Sequence, residues 1–461
     1  MGDLQELSSP PRWRELLGAG HLGAVTVLAG GILVGAVNIY LASSLLPTAV
    51  AELGGAGFYA WNMTIYLVAM VVATMLVSRV LARWGNVGAY LAGFGLFLVG
   101  SLVCALGPAM PVLLVGRGVQ GIGAGLLSGL GFAVIRSALP ARLWTRGNAL
   151  MSAMYGVGNF VGPALGGLFS QFGSWRLAFV VMAIFGAVFG AIVPRVLPRG
   201  ERTDTRVPIP AISLALVTAA TVAVSVASVL PGTPTKIGVV SIGLLLLAGL
   251  VVHERQSSQR VFPRSAYQPG SPLKWVYLTL GLLAFGVAVE SFLPLFGQRL
   301  GGLAPLAAGF FGAAISLGWS TAQIVSSSAV HERVIRRLRM LGPILLASGF
   351  LILGLLQRED APLWLVITWV PVLFLAGCGI GVAYPHLSVA AMADGQQAAA
   401  AVATVTTLST AFGTAVAGVL INMGEPALLD SARYLLFGFA VVCALGVVTS
   451  SRLRPASERR Q

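Results

Sequence analysis

Two ionisable side chains interrupt long apolar runs of this 461-residue chain. One is Arg117, in Leu113-Leu-Val-Gly-Arg117-Gly-Val-Gln120-Gly121. The other is Glu290, in Gly286-Val-Ala-Val-Glu290-Ser-Phe-Leu-Pro294. A charge is costly in lipid and by default marks a pathway, a proton site or an ion pair. A carboxyl group can carry a proton, whereas a guanidinium stays charged and can only pair. Amide, aromatic and imidazole side chains recur in neighbouring apolar runs. Asn38, Trp61, Asn62, Tyr66, Gln120, Tyr155, Asn159, Trp319, Gln323, Tyr384 and His386 are candidates for the wall of a cavity. Such groups suit amphipathic or cationic organic molecules, through hydrogen bonds, stacking and cation–π contacts. For each residue alone, plain helix packing is the competing reading. His386, beside Pro385, carries a group that titrates near physiological pH. Its position near the end of its run suits a gate or a packing role better than coupling.

Other chemistries find no support. Gly116, Gly118 and Gly121 spell GxGxxG, but a dinucleotide site needs that string between a strand and a helix. Here it lies inside one apolar helix. No HExxH, no paired carboxylates and no nucleophile with a suitably spaced base occurs, so an enzyme is not expected. Cys104, Cys378 and Cys443 all fall inside apolar runs and show no metal-ligand spacing. No cofactor is implied.

The elements that must position these residues follow from composition. Hydrophobic residues make up 57% of the chain and charged ones 10%, with mean hydropathy +0.88. So apolar a chain cannot be hidden in one water-soluble core, and its natural solvent is lipid. A membrane-spanning helix needs about 20 apolar residues. Fourteen runs qualify, at about 21–46, 58–78, 87–107, 111–135, 147–171, 176–194, 209–230, 236–252, 274–297, 304–329, 340–356, 363–390, 399–423 and 432–450. The seventh, rich in Ser and Thr, is the weakest.

Polar segments at 195–210 and 253–272 divide the runs into six, two and six. The expected fold is an all-α polytopic membrane protein, with two pseudo-symmetric six-helix bundles and two inserted helices. The segments are 1–20, cytoplasmic; 21–198, the first bundle; 199–272, linkers with the inserted pair; 273–451, the second bundle; and 452–461, a cytoplasmic tail. The first 20 residues, with Asp3 and Glu6 beside Arg12 and Arg14, do not resemble a cleavable signal.

Charge sets the orientation. With both termini cytoplasmic, 23 of the 29 basic residues fall on inside segments and five outside. Arg117 is the remaining one. That asymmetry matches the positive-inside rule, requires an even number of crossings, and explains the net charge of +14 without nucleic acid.

The two halves echo each other. Gly121-Ile-Gly-Ala-Gly125 on the fourth run has a counterpart in Gly377-Cys-Gly-Ile-Gly381 on the twelfth. Phe160-Val-Gly162-Pro163 on the fifth resembles Phe412-Gly413-Thr on the thirteenth. Repeats of this kind build many transporters, with the substrate site between the halves. On the fifth run, Gly158, Gly162 and Gly166 stand four apart beside Gly167 and Pro163, a pattern for a close, bent helix contact.

Together these strings resemble the major facilitator superfamily, specifically the fourteen-helix branch of its drug–proton antiporters. Residues 113–125 look like that family's fourth-helix motif, with Arg117 at its arginine. Residues 158–167 look like its exporter motif, and Trp175-Arg176 opening the sixth helix fits as well. The resemblance covers the whole chain. It implies export of small amphipathic compounds by proton antiport, with alternating access, as a monomer among the lipids of a bacterial inner membrane. The excess of Arg over Lys also suits a bacterial, GC-rich genome.

Three positions depart from the pattern. In the loop motif Arg79-Val-Leu-Ala82-Arg83-Trp-Gly85, Ala82 stands where the family has an acid. The second-half copy, Glu332-Arg333-Val-Ile-Arg336-Arg337, keeps one. On the first helix Asn38 stands nine before Pro47, where the branch has an aspartate; an asparagine cannot carry a proton. The loop around Asp394 has no basic residue. Glu290 is therefore expected to be the proton-responsive group, with Arg117 beside the coupling path. At about 1.5 Å per residue, Asn38, Arg117 and Glu290 lie about 13, 9 and 12 Å in from the outer face, at one level. The alternative is a proton-independent facilitator or importer of the same fold, which Asn38 and Ala82 favour.

Overall fold

The computed structural model describes residues 13–453 except 141–142, 173, 201–209, 258–261, 269, 327–328, 330 and 393–395. Of the segments drawn from sequence, the first twelve residues, parts of both linkers and nearly all of the tail lie outside the described residues. So do Arg12, Arg142, Arg202, Arg206, Arg260, Arg454, Arg459, Arg460 and Asp394.

The described chain is helical throughout, as lipid demands: with no water to bond, each segment must satisfy its own backbone. The long helices are α1 (Leu22–Leu53), α2 (Ala56–Val77), α3 (Arg79–Leu106), α4 (Met110–Ala133), α5 (Trp144–Phe172), α6 (Trp175–Val196), α7 (Ala211–Val229), α8 (Thr233–Gln256), α9 (Leu273–Arg299), α10 (Pro305–Ser326), α11 (Glu332–Leu356), α12 (Leu363–Met392), α13 (Gln396–Met423) and α14 (Leu428–Ser451). Twelve of them are long and apolar enough to cross a membrane; α5 and α7 are the two outside that set.

Helix boundaries differ from expectation where polar residues remain helical. α3 starts at Arg79 and α11 at Glu332, so both basic loop motifs are largely helix. α1 runs on past Pro47 to Leu53. α2 and α3 form one continuous run, kinked within the second turn of α3 at Gly85 (φ 68°, ψ −177°), a left-handed position that glycine tolerates. α9 is interrupted at mid-length by a 3₁₀ turn, Ala288–Ser291, before it resumes at Leu293 with Pro294 in its first turn. Proline lacks the N–H that would continue the ladder.

The same packing scheme occurs twice. α1 packs on α4, α5 and α6, and α9 on α12, α13 and α14. α4 lies against α2 and α3, and α12 against α10 and α11. Glycines make the close approaches. A methyl group on Gly121 or Gly125 would meet the carbonyls of Tyr66 and Met70 on α2; on Gly377 or Gly381 it would meet those of Ile315 and Trp319 on α10. The halves join through α5 on α10 and through α2 on α13, again an equivalent pair, and α1 also touches α9 and α10. α7 pairs with α8 and lies across the α2–α13 seam. There Val224 and Ala227 pack on Ala415 and Val419, and Trp61 Nε1 donates to the Ser225 carbonyl at 2.8 Å.

Candidate functional site

Arg117, fully buried, is held from three helices. Its Nη1 donates to Asn38 Oδ1 on α1 and, at 2.7 Å, to Gln120 Oε1 one turn along α4. Its Nε donates to the Asn62 carbonyl on α2 at 3.3 Å, and its guanidinium carbon lies 4.1 Å over the Tyr66 ring. Gln120 passes the chain on: its Nε2 donates to Ser101 Oγ on α3 at 2.7 Å, and that hydroxyl donates to the Phe97 carbonyl. Tyr66 is pinned by its own hydroxyl, which donates to the Gly35 carbonyl. The structure thus brings Asn38, Asn62, Tyr66, Gln120 and Arg117 into one buried polar knot inside the first half. Among the described residues no carboxylate pairs with Arg117.

Glu290 is in the other half, on the 3₁₀ turn of α9, 6% exposed. Its Oε1 accepts the Ser316 N–H of α10 at 3.2 Å. The Ser316 hydroxyl in turn meets the Tyr40 hydroxyl of α1 at 3.1 Å. Glu290 is therefore one serine away from the first half. Tyr40 and Ser316 were missed by sequence reasoning; a lone hydroxyl within an apolar run gives no signal beyond Tyr40 standing two residues past Asn38.

The exporter motif lies against both partners. Methyl groups on Gly158, Gly162 and Gly166 would overlap Ala36, Tyr40 and the Leu41 carbonyl, so these three glycines let α5 lie tightly on α1. Gly167 faces the other way, toward Pro305 and Leu306 on α10. The Pro163 carbonyl abuts Gly309. The loop motif is also engaged. The Arg199 carbonyl crosses the face of Gly85 and accepts the Asn86 N–H at 3.0 Å, and Asn86 Nδ2 donates to Ser137 Oγ at 3.1 Å. Arg83, Glu332 and Arg333 are exposed.

The remaining candidates are dispersed. Trp61 faces α7. Trp319 donates to Gln323 Oε1 at 2.8 Å, and its ring lies 5.4 Å from that of Tyr384, whose hydroxyl meets Thr406 Oγ1. Tyr155 is half-buried; Asn159 and His386 are buried. The His386 carbonyl accepts from Arg339. A cavity of about 320 Å³ opens between α7, α8, α9 and α13, lined by Thr221, Leu250, Tyr277, Gly281, Ser409 and Phe412 among others. None of the sequence candidates lines it. At the end where α1 passes into α2, Arg176 bonds Glu52 and the Trp175 indole donates to the same carboxylate at 2.6 Å, tying α6 to α1.

The model of the Major Facilitator Superfamily matches residues 28–417. The chain belongs to that superfamily. It is 43% identical to a probable multidrug-efflux transporter of Mycobacterium tuberculosis (strain ATCC 25618 / H37Rv), over 95% of each chain. It is 22% identical to multidrug resistance protein 3 of Bacillus subtilis (strain 168), over 79% of this chain and 71% of that one. Among solved structures, a mutant of the peptide transporter POT in complex with sulfate superimposes with a TM-score of 0.70, at 18% identity, over 100% of this chain and 98% of that one. That likeness is one of fold. Family membership makes this major facilitator chain a multi-pass membrane transporter of small molecules rather than an enzyme.

Proposed function

We propose that this transporter exports small amphipathic organic compounds from a bacterial cell by proton antiport, with Glu290 as the proton-carrying group. The observation that carries the reading is the position of Glu290. It is a buried carboxyl on an irregular turn, one serine from the seam between the halves. Adding or removing a proton there changes a charge beside that seam, and a charge in so apolar a place biases which packing is stable. The multidrug-efflux relatives, at 43% identity over nearly the full length, support the direction and the substrate class.

The reading includes fourteen crossings. Besides the twelve strongly apolar helices, α5 is 29 residues long and α7 is 19, each long enough for a core about 30 Å thick. Both termini are then cytoplasmic, in a plasma membrane, with 21–198 and 273–451 as the rocking bundles, 199–272 as linkers and inserted pair, and 1–20 and 452–461 as cytoplasmic ends. On that orientation Gly167 against Leu306, Tyr59 stacked on Phe292 and Asn422 bonded to the Gly57 carbonyl all lie toward the outer face. The working unit is a monomer. Transport without protons is the second reading, favoured by the lack of a carboxylate at Arg117.

Proteoliposomes carrying a pH-sensitive dye, an imposed pH gradient and a panel of lipophilic cations and neutral amphiphiles test the proposal. Compound-dependent proton movement in the wild type, lost in Glu290→Gln while compound binding persists, is the expected result. Compound movement without proton flux, equal in both proteins, overturns it.

A further inference from the structure

A cation sealed in apolar surroundings must be compensated, because removing it from water costs several kcal/mol even after relaxation. Arg117 has no exposed surface and no carboxylate partner among the described residues. What surrounds it is neutral: two amide oxygens, one main-chain carbonyl and the face of Tyr66. These satisfy part of the five-donor guanidinium. Its Nη2 bonds nothing.

The neighbouring unmade bonds have the same sign. Asn38 offers its oxygen to Arg117, which fixes the orientation of that amide and leaves Nδ2 as a donor without an acceptor. Asn62, whose carbonyl already accepts from Arg117, also has an unpartnered Nδ2. Asn38 and Asn62 are 0% and 2% exposed. A water molecule could satisfy such donors but would leave the charge untouched. One ligand type answers both deficits, an acceptor carrying a negative charge.

We infer that Arg117, Asn38 and Asn62 form a binding site for a small monovalent anion, of chloride or formate size, which completes the electrostatics of the first half. The small size follows from the packing. Arg117 and Asn38 have no exposed surface and Asn62 has 2%, and Gly121 brings α4 tightly against the Tyr66 carbonyl of α2, so a large ligand would have to part the helices. The site is independent of Glu290 and of the direction of transport. It stabilises the folded protein by mass action, because the unfolded chain does not assemble it.

The test is thermal unfolding of the purified full-length protein in detergent, at equal ionic strength, in sodium chloride, sodium formate or sodium gluconate. The gluconate anion is too large for the site. The wild type should unfold several degrees higher in chloride or formate than in gluconate, and whichever of the two raises it identifies the anion. Asn38→Asp places a covalent carboxylate beside Arg117, so it should be stable in gluconate and gain nothing from the small anions. Arg117→Gln, which removes the charge, should likewise lose the response. A wild type indifferent to the anion overturns the inference. So does a response of wild-type size retained in either variant, since that would be a general salt effect.

Discussion

The Tyr40 hydroxyl of the first half and the Ser316 hydroxyl of the second meet at 3.1 Å, and the same serine donates its N–H to Glu290. A tyrosine on one bundle thus senses a carboxyl on the other through a single residue. If Glu290 carries the proton, Tyr40→Phe should slow gradient-driven transport about five-fold, the equivalent of one net hydrogen bond of about 1 kcal/mol. Substrate-dependent proton flux in proteoliposomes measures this. In the Glu290→Gln background the same change should add little, because groups in one network do not act additively. Equal effects in both backgrounds would separate Tyr40 from the coupling path.

The α1–α5 contact should tolerate no added volume. Gly162→Leu drives a side chain into Tyr40 and the Val37 carbonyl, and overpacking of this kind costs about 1–3 kcal/mol. Gly156 on the same helix has open space where its Cβ would stand. Gly156→Ala should leave the unfolding midpoint in detergent unchanged, whereas Gly162→Leu should lower it clearly.

At the kink near the start of α3, Gly85→Ala meets two penalties. One is the positive-φ, extended-ψ backbone, which costs a non-glycine residue about 1–3 kcal/mol. The other is the Arg199 carbonyl, which occupies the place of the new methyl. The contact that carries the Asn86 N–H to Arg199 should open, and limited proteolysis should cut faster near residue 199 than in the wild type. An unchanged cleavage rate would show that the contact does not hold that loop.

Trp61 is expected to anchor α7 rather than to touch substrate. Trp61→Phe keeps the ring but loses the indole donor to the Ser225 carbonyl. Amide hydrogen exchange in α7 should rise several-fold with little change in transport. A strong loss of transport with α7 exchange unaltered would return Trp61 to the substrate path.

Much of this was legible from residue type and spacing. The apolar runs located the helices, because lipid leaves the backbone no alternative. Gly121 and Gly125, with Gly377 and Gly381, announced the repeat because only a residue without a side chain permits such close crossings. Arg117 was conspicuous for its charge, and the amides that bind it were already candidates. What stayed hidden was pairing between distant segments. Nothing in the sequence says that Ser316 lies between Tyr40 and Glu290, because neither hydroxyl perturbs the hydropathy of its run. The 3₁₀ turn at Ala288–Ser291 was equally silent: Pro294 warns of a break without fixing where the ladder fails. Arg79 and Glu332 were read as loop because they are charged, yet they extend helices beyond the apolar boundary.

The helix pair α7–α8 covers one of two seams that the repeat would otherwise make equivalent. α2 and α13 meet beneath α7, while among the described residues neither α7 nor α8 packs on α5 or α10 to the same extent. Seen in the plane of the bilayer, the protein therefore has a front and a back. If the bundles rock as proposed, the seam under α7 must drag a third body with it while the other seam moves without one. A motion that is two-fold in the bundles then becomes one-sided toward the lipid.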